Sequence, residues 1–157
     1  MEDRAAVTAR LSAAIREYQR EIDALDQAVA ERLALNRSDL RCVDLLLDRP
    51  MSLTELGERA GLGRSAMTTV LDRLEAAGYA RRVRDEGDRR KFLVRLTPKV
   101  LGLIGEIFEP YAAEATADLD RYSVTELELL ERFFGAGTRR HADHARRIRA
   151  QTREPRS

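Results

Sequence analysis

A heptad seam in the first part of the chain restricts the folds that this sequence can adopt. Apolar residues recur at intervals of four and three through residues 3–35, and no Gly or Pro interrupts them. Such spacing places one apolar stripe along a single long helix. The stripe consists of Leu11, Ile15, Tyr18, Ile22, Leu25 and Val29. It needs a cover, which either a helix of a second subunit or the chain's own C-terminal helices would supply.

Two shorter helices are predicted next from their caps and breakers. Polar residues at 36–38 offer caps for a second helix over about 38–48, which ends before Pro50. Ser-Leu-Thr-Glu at 52–55 is a capping box, in which the Ser hydroxyl accepts from the backbone and the Glu reaches back. A third, short helix follows and is expected to end near residue 60.

The third helix and a fourth over about 64–77 have helix-turn-helix spacing. Gly61 occupies the tight turn between them, and Gly78 ends the fourth helix. The non-core side of the fourth helix carries hydroxyls and guanidinium groups, which reach base edges and phosphates in a major groove. These candidate DNA-binding residues are Arg64, Ser65, Thr68, Thr69 and Arg73. An ordinary packed pair of helices is the alternative interpretation of the same spacing.

Two strands are predicted immediately after the fourth helix. Residues 79–83 and 92–96 have strand character and flank a charged loop. A hairpin that follows a recognition helix is a wing, whose loop flanks the groove that the helix enters. We expect Arg89, Arg90 and Lys91 to face the DNA backbone and the minor groove. Asp88 is expected to hold a neighbouring guanidinium in place.

Two further helices complete the predicted order of elements. A Thr-Pro pair at 97–98 marks the start of a fifth helix, which runs to about residue 121 with a kink expected at Pro110. A second capping box at 123–126 starts a sixth helix. Gly-Ala-Gly at 135–137 is expected to interrupt this helix before an Arg-rich tail.

Charge is distributed unevenly along a chain whose formal net charge is only +1. Residues 79–99 carry +5 (eight basic and three acidic residues), and residues 138–157 also carry +5 (seven basic and two acidic). Basic islands attract a polyanion, because local potential rather than net charge meets the phosphates. An ordinary solvated surface is the alternative interpretation of the same islands.

Other kinds of protein have less support in the sequence. The longest apolar runs are a few residues, against the roughly 20 needed to cross a bilayer, so we expect a cytoplasmic protein without a membrane partner. No catalytic constellation stands out, so neither an enzyme nor a cofactor is expected. His141 and His144 have a spacing that suits a metal, but solvated side chains are the simpler interpretation. Cys42, the only cysteine, has the pattern of a core residue rather than a redox sensor.

The sequence resembles the MarR family of winged-helix transcription regulators, most strongly from residue 52 to residue 99. The family's wing signature is Asp-x-Arg, a spacer and Leu-Thr, and it matches at Asp88, Arg90, Leu96 and Thr97. Asp-Arg-Leu-Glu followed by Gly matches at 72–75 and Gly78. Three positions depart from the family pattern, namely Gly57, Gly63 and Val100. The first two are expected to loosen the helix-turn-helix by a fraction of a kcal/mol each.

This resemblance implies a fold and a mode of action. The implied fold is mainly α with a small β-hairpin, in which a winged helix-turn-helix at 36–97 lies between dimerisation helices at 1–35 and 98–157. Arg90 would be the wing-tip arginine in the minor groove, and Asp88 its brace. The family acts as homodimers on double-stranded DNA. Many members are repressors that release it when a lipophilic or phenolic effector binds between the dimer helices and the winged domain.

Two functions remain open from the sequence. One is a sequence-specific transcriptional regulator, a ligand-responsive repressor of an inverted-repeat operator. The other is a dimeric helical module that uses its winged helix to bind protein. The Arg-bearing loop and the hydroxyl-rich fourth helix favour the first.

Overall fold

The computed structural model describes residues 3–88 and 90–153, which form six helices and three strands. In chain order these are α1 (Arg4–Arg32), α2 (Arg37–Asp48), β1 (Met51–Ser52), α3 (Leu53–Ala60), α4 (Arg64–Ala76), β2 (Ala80–Arg84), β3 (Phe92–Leu96), α5 (Pro98–Leu119) and α6 (Val124–Arg153). The chain divides into two compact units, and the division falls within α5, between Ile107 and Phe108. The predicted mainly helical class with a winged segment is confirmed.

The sheet of the first unit has three antiparallel strands in the order β1-β3-β2. β2 and β3 form the predicted hairpin, in which Ala80 lies opposite Leu96. The sequence prediction missed β1, which pairs Met51 with Val94 on the other edge of β3. Two residues are too few to show the alternation by which a strand is recognised.

The core of the first unit lies between the short helices and the sheet. Its side chains are apolar and almost fully shielded from water, where burial of hydrocarbon contributes most to stability. Members from α2, β1, α3, α4, β3 and α5 include Val43, Met51, Leu56, Met67, Leu71, Leu74, Val94 and Val100. The core therefore joins α4 to α2, α3, α5 and the strands β1 and β3.

Polar caps fix where the short helices begin. Asn36 Oδ1 accepts from the backbone N–H of Asp39 at 3.0 Å, and Ser52 Oγ accepts from that of Glu55 at 3.2 Å, as the sequence predicts. The second half of the Ser52 capping box is different. Among the described residues, the Glu55 carboxylate accepts hydrogen bonds from Arg49 rather than from residue 52. These bonds lower the pKa of Glu55.

The apolar seam of α1 is only partly covered within one chain. Val29, near the end of the helix, is buried in the first unit. Toward the N-terminus the stripe is open, since Tyr18 is 55% exposed and Leu11 and Ile22 are also exposed. A contiguous apolar surface of this kind is typical of an interaction site.

The second unit consists of the remainder of α5 and all of α6. Its capping box is complete, because Ser123 Oγ accepts from the Glu126 N–H at 3.4 Å and the Glu126 carboxylate accepts from the Ser123 N–H at 2.8 Å. Pro110 lies inside α5, which continues to Leu119. The interruption expected at 135–137 is wrong, because α6 continues through both glycines. Each such Gly costs only about 1 kcal/mol relative to Ala, and the long helix offsets that cost.

Candidate nucleic-acid interface

The outward face of α4 presents the candidate residues of that helix. Its inner face carries Met67, Val70, Leu71 and Leu74 into the core. Helical periodicity therefore leaves the opposite stripe at the surface. The exposed residues of its first two turns include Arg64, Ser65, Thr68 and Thr69. The two threonine hydroxyls donate to carbonyls one turn earlier, at 3.1 and 3.2 Å, so their oxygens remain available as acceptors.

Glycines bring α3 and α4 close together. Gly61 ends α3 with a φ of 73°, in the left-handed region that favours glycine. Gly57 lies against the next helix, where an added Cβ would be 3.2 Å from the Leu62 carbonyl oxygen and 3.4 Å from Met67. Gly57 therefore has a packing role, which acts against the loosening expected from its low helix propensity.

The C-terminal end of α4 is held by residues that follow the sheet. Thr97 Oγ1 donates to the Gly78 carbonyl at 2.6 Å, and Lys99 Nζ donates to the Ala77 carbonyl at 2.7 Å. Both carbonyls lie immediately after the last residue of α4, where no further helical turn can pair them. Nearby, the Tyr79 hydroxyl donates at 3.2 Å to the carbonyl of Leu33, the C-cap residue of α1. The end of α4 is therefore tied to both α1 and α5.

Arg73, the fifth candidate on α4, is paired with Asp39 of α2. The buried Asp39 carboxylate accepts from Arg73 Nε at 2.9 Å and from Arg73 Nη2 at 2.6 Å. These hydrogen bonds raise the pKa of the guanidinium. The sequence prediction placed Arg73 at the DNA and missed this partner, which lies 34 positions earlier in the chain. Two nitrogens of Arg73 are thus used inside the protein.

The loop between β2 and β3, residues 85–91, is closed by hydrogen bonds of its own. The Asp85 N–H donates to the Lys91 carbonyl at 3.0 Å. The Asp85 carboxylate accepts from the Gly87 N–H at 2.8 Å, and the Asp88 carboxylate accepts from the Arg90 N–H at 3.1 Å. Short aspartate side chains therefore shape this loop through its backbone.

The candidate cations of this loop have different surroundings. Arg90 is exposed, and its guanidinium has no ion-pair partner among the described residues. The Lys91 ammonium lies 3.5 Å from the Asp88 carboxylate. Within residues 3–88 and 90–153, Asp88 contacts the Lys91 ammonium and the Arg90 backbone N–H, and its expected role in holding a neighbouring guanidinium stays a prediction. Arg89, the third predicted cation, lies outside the described residues.

At the base of the hairpin, basic residues join the sheet to α4. Arg82 of β2 lies 3.8 Å from the Asp72 carboxylate and 3.6 Å from the Glu75 carboxylate, both on α4. The Arg84 guanidinium lies 5.2 Å from the centre of the Phe92 ring. Part of the basic island therefore has a structural role, in which the hairpin and α4 are connected as one surface.

Comparison with known proteins agrees with this arrangement. A family model described as MarR family matches residues 35–91. Over 111 residues the sequence is 40% identical to the HTH-type transcriptional regulator YcgE of Bacillus subtilis, an alignment that covers 69% of this chain and 71% of that protein. The chain belongs to the MarR family of transcriptional regulators.

Solved structures have the same MarR fold. The transcriptional regulator BldR from Sulfolobus solfataricus is 27% identical, with a TM-score of 0.54 and coverage of 88% of this chain and 99% of that one. A MarR family protein from Bacillus stearothermophilus is 21% identical, with a TM-score of 0.64 and coverage of 90% and 99%. In this fold α3 and α4 form the helix-turn-helix, and β2 and β3 form the hairpin that follows it.

Cys42 and the two histidines of this MarR-family chain have unlike surroundings. The Cys42 thiol is fully buried, 4.0 Å from the Met67 sulfur, and burial raises its pKa to about 11. A thiol that stays protonated near neutral pH reacts slowly. His141 and His144 are exposed on α6. In the part of the chain that the structure describes, no three His, Cys, Asp or Glu side chains are grouped to hold a metal ion, and no helix has the length and apolar character of a membrane span.

Proposed function

We propose that this regulator is a homodimeric repressor that binds an inverted-repeat operator and releases it when a small effector binds. The observation that carries the proposal is the surface on which the exposed face of α4 and the wing are joined by Arg82. That surface combines side chains able to reach base edges with the exposed guanidinium of Arg90. Catalysis and a cofactor have no part in the proposed function.

The two parts of this surface suit different features of DNA. A major groove about 12 Å wide admits a helix, and short hydroxyls on its face reach base edges or phosphates. Arg64, Ser65, Thr68 and Thr69 have this role in the proposal. The narrower minor groove concentrates negative potential, which favours an inserted arginine such as Arg90. Asp88 supports the loop, while Arg89 and Lys91 contact phosphates.

Dimerisation is proposed for residues 1–35 and 98–157. Its support in the structure is apolar side chains left exposed on α1, including Leu11, Tyr18 and Ile22, and on α6, including Phe133 and Phe134. A symmetric dimer carries two recognition helices. When these lie about 34–36 Å apart they enter successive major grooves, so the operator would have half-sites roughly 10 bp apart, centre to centre.

The proposed effector is a lipophilic or phenolic compound, as the family resemblance implies. Such a compound would act by favouring a dimer in which the spacing of the two recognition helices no longer matches the DNA. A ligand that binds the folded dimer also stabilises it, by about 2.7 kcal/mol at a hundred times its Kd. A thermal-shift screen of aromatic acids and phenols, followed by operator titration with each hit, tests this part of the proposal. Because the target is chromosomal DNA, we place the regulator in the cytoplasm.

Footprinting on the DNA that flanks the protein's own gene tests the operator. The expected result is protection of two symmetric half-sites, together with a solution mass about twice the 17.8 kDa of the chain. Ile22→Glu places a charge in the exposed seam of α1 and should lower both dimer content and protection. A monomer that protects the same DNA would contradict the dimer, and equal affinity for operator and scrambled duplex would favour a module that binds protein.

A further inference from the structure

An ion pair between α2 and α4 has a geometry that the predicted role of Arg73 as a DNA contact does not explain. Asp39 is 2% exposed, and it is the only charged residue with a buried side chain in the described part of the chain. Both of its oxygens accept from one guanidinium, that of Arg73. Its own backbone N–H donates to the Asn36 cap at 3.0 Å. The carboxylate is therefore held by the first turn of α2.

A buried carboxylate fixes the position of its partner. Taking a charge out of water is costly unless a partner of opposite charge and good hydrogen-bond geometry replaces the solvent. A guanidinium that binds through two parallel N–H groups meets this requirement in only one orientation. Arg73 therefore cannot turn toward DNA without leaving Asp39 both buried and unpaired.

The position of Arg73 along α4 makes this constraint important for recognition. Ser65, Thr69 and Arg73 are spaced four residues apart, so they lie along one stripe of the helix. A helix with side chains has a radius of about 5–6 Å, so a rotation of roughly 20° about its axis moves side-chain ends by about 2 Å. Because hydrogen bonds form over a range of only about 0.5 Å in length, that rotation would break contacts to base edges.

We propose that Asp39 and Arg73 are positioning residues, which set the rotation of the recognition helix and thereby its sequence specificity. In this role the Arg73 guanidinium is directed at Asp39 rather than at a phosphate. The inference deepens the proposed DNA-binding function and rests on it. It assigns the selectivity of α4 partly to a side chain in α2 that does not touch DNA.

Three variants separate positioning from a phosphate contact. Arg73→Lys keeps the charge but loses the two-pronged geometry. Asp39→Asn removes a negative charge, so electrostatics alone would strengthen binding to all DNA. In the double variant Asp39→Asn/Arg73→Gln, the net charge of the pair is restored to zero and two amides can still meet. Each protein is titrated with the footprinted operator duplex and with a scrambled duplex across a salt series, well below its melting temperature.

If Asp39 and Arg73 position α4, Arg73→Lys and Asp39→Asn should each lower the ratio of operator affinity to scrambled-duplex affinity by at least about tenfold. That is the scale of one mismatched base pair. Binding of scrambled duplex should stay equal to wild type or rise for Asp39→Asn. The double variant should recover part of the affinity ratio of the wild type. The salt slope, which is the slope of log affinity against log salt concentration, should change little with Arg73→Lys.

Two results would overturn the positioning role. One is an unchanged ratio for Arg73→Lys. The other is a fall of about 1.8 in the salt slope of the double variant, the value expected when each of two subunits neutralises one phosphate fewer. If Asp39→Asn fails to fold, Arg73→Lys still tests the positioning role. This substitution conserves charge, and the Arg73 side chain that it replaces is 43% exposed. Wild-type protein that does not distinguish the two duplexes would instead contradict the proposed function.

Discussion

α4, the proposed recognition helix, and the tip of the β2–β3 hairpin are stabilised in opposite ways. α4 is held along one face by the core, at its end by Thr97 and Lys99, and at its side by Asp39. The wing loop, residues 85–91, is shaped by its own aspartates and backbone, and Arg90 extends from it into solvent. One region is fixed by the whole first unit, and the other by its immediate neighbours in sequence.

This difference suits what each region would recognise in the proposed function. Hydrogen bonds to base edges require accurate distances and angles. Attraction between an arginine and phosphates falls only gradually with distance, so it tolerates variation in position. A helix that selects sequence therefore benefits from a rigid support, whereas a basic wing tip does not need one.

Truncation of one supporting side chain in each region should give the largest difference in stability. Leu74→Ala removes a fully buried side chain of α4 and should lower the free energy of unfolding by about 2–5 kcal/mol. Asp88→Ala, in the wing loop, should change it by no more than about 0.5 kcal/mol. Urea unfolding at one fixed protein concentration measures both. Equal losses would show that the wing loop is as integral to the fold as α4.

The Cys42 thiol reports how tightly α2 and α4 are packed. Its pKa of about 11 lies above the value of about 8.5 for an unfolded thiol. Its contribution to stability is therefore intact below about pH 8.5 and is lost as the pH rises toward 11. At pH 8 the native protein should react with a thiol reagent at least about a hundredfold more slowly than the urea-unfolded chain. Similar rates would mean that α4 separates from α2 easily.

A single hydroxyl tests whether the helix reads sequence. Thr69→Val keeps the size and β-branching of the side chain and removes only its hydrogen-bonding oxygen. We expect a loss of about 1–3 kcal/mol per contact on the operator and little change on a scrambled duplex. An equal loss on both duplexes would indicate that Thr69 contacts the DNA backbone. Thr116→Val in the second unit provides the same chemical change on an exposed helix position without a proposed DNA contact.

The smallest expected effect concerns the start of α4. Gly63 is its N-cap and provides no side-chain hydrogen bond, and the space around its missing Cβ is open to 4 Å. Gly63→Ser should therefore stabilise the protein by a few tenths of a kcal/mol, which differential melting against wild type would detect. A loss of stability would mean that the backbone there depends on glycine. Gly137→Ala, also in open space but inside α6, provides a comparison of helix propensity alone.

Local chemistry allowed most of the fold to be predicted from the sequence. The caps at Asn36 and Ser52 and the left-handed Gly78 act through neighbours within a few residues, so their spacing is sufficient. The error at 135–137 has the opposite cause. Two glycines in a long helix have a modest cost, and the rest of α6 overrides their local preference.

Contacts between residues that are far apart in the sequence could not be predicted from sequence patterns. The positions of Arg64, Ser65, Thr68 and Thr69 on an outward face follow from helical period alone. The pairing of Arg73 with Asp39 depends on how α2 crosses α4. In the sequence, an exposed arginine on such a helix has the same pattern whether or not it has this partner. Likewise, the glycine at position 57 could be recognised as a packing residue only from the approach of Leu62 and Met67.

The central claim, that residues 85–91 form a DNA-binding wing, is tested most directly by the salt dependence of Arg90→Ala. Affinity for operator and scrambled duplexes is measured across a salt series for wild type, Arg90→Ala and Arg121→Ala, an equal charge change at an exposed residue of the second unit. Arg90→Ala should weaken binding to both duplexes. It should also reduce the salt slope by about 1.8, since each of two subunits then neutralises one phosphate fewer. Arg121→Ala should leave the slope unchanged. Unaltered affinity and salt slope for Arg90→Ala would contradict the claim that this loop binds DNA.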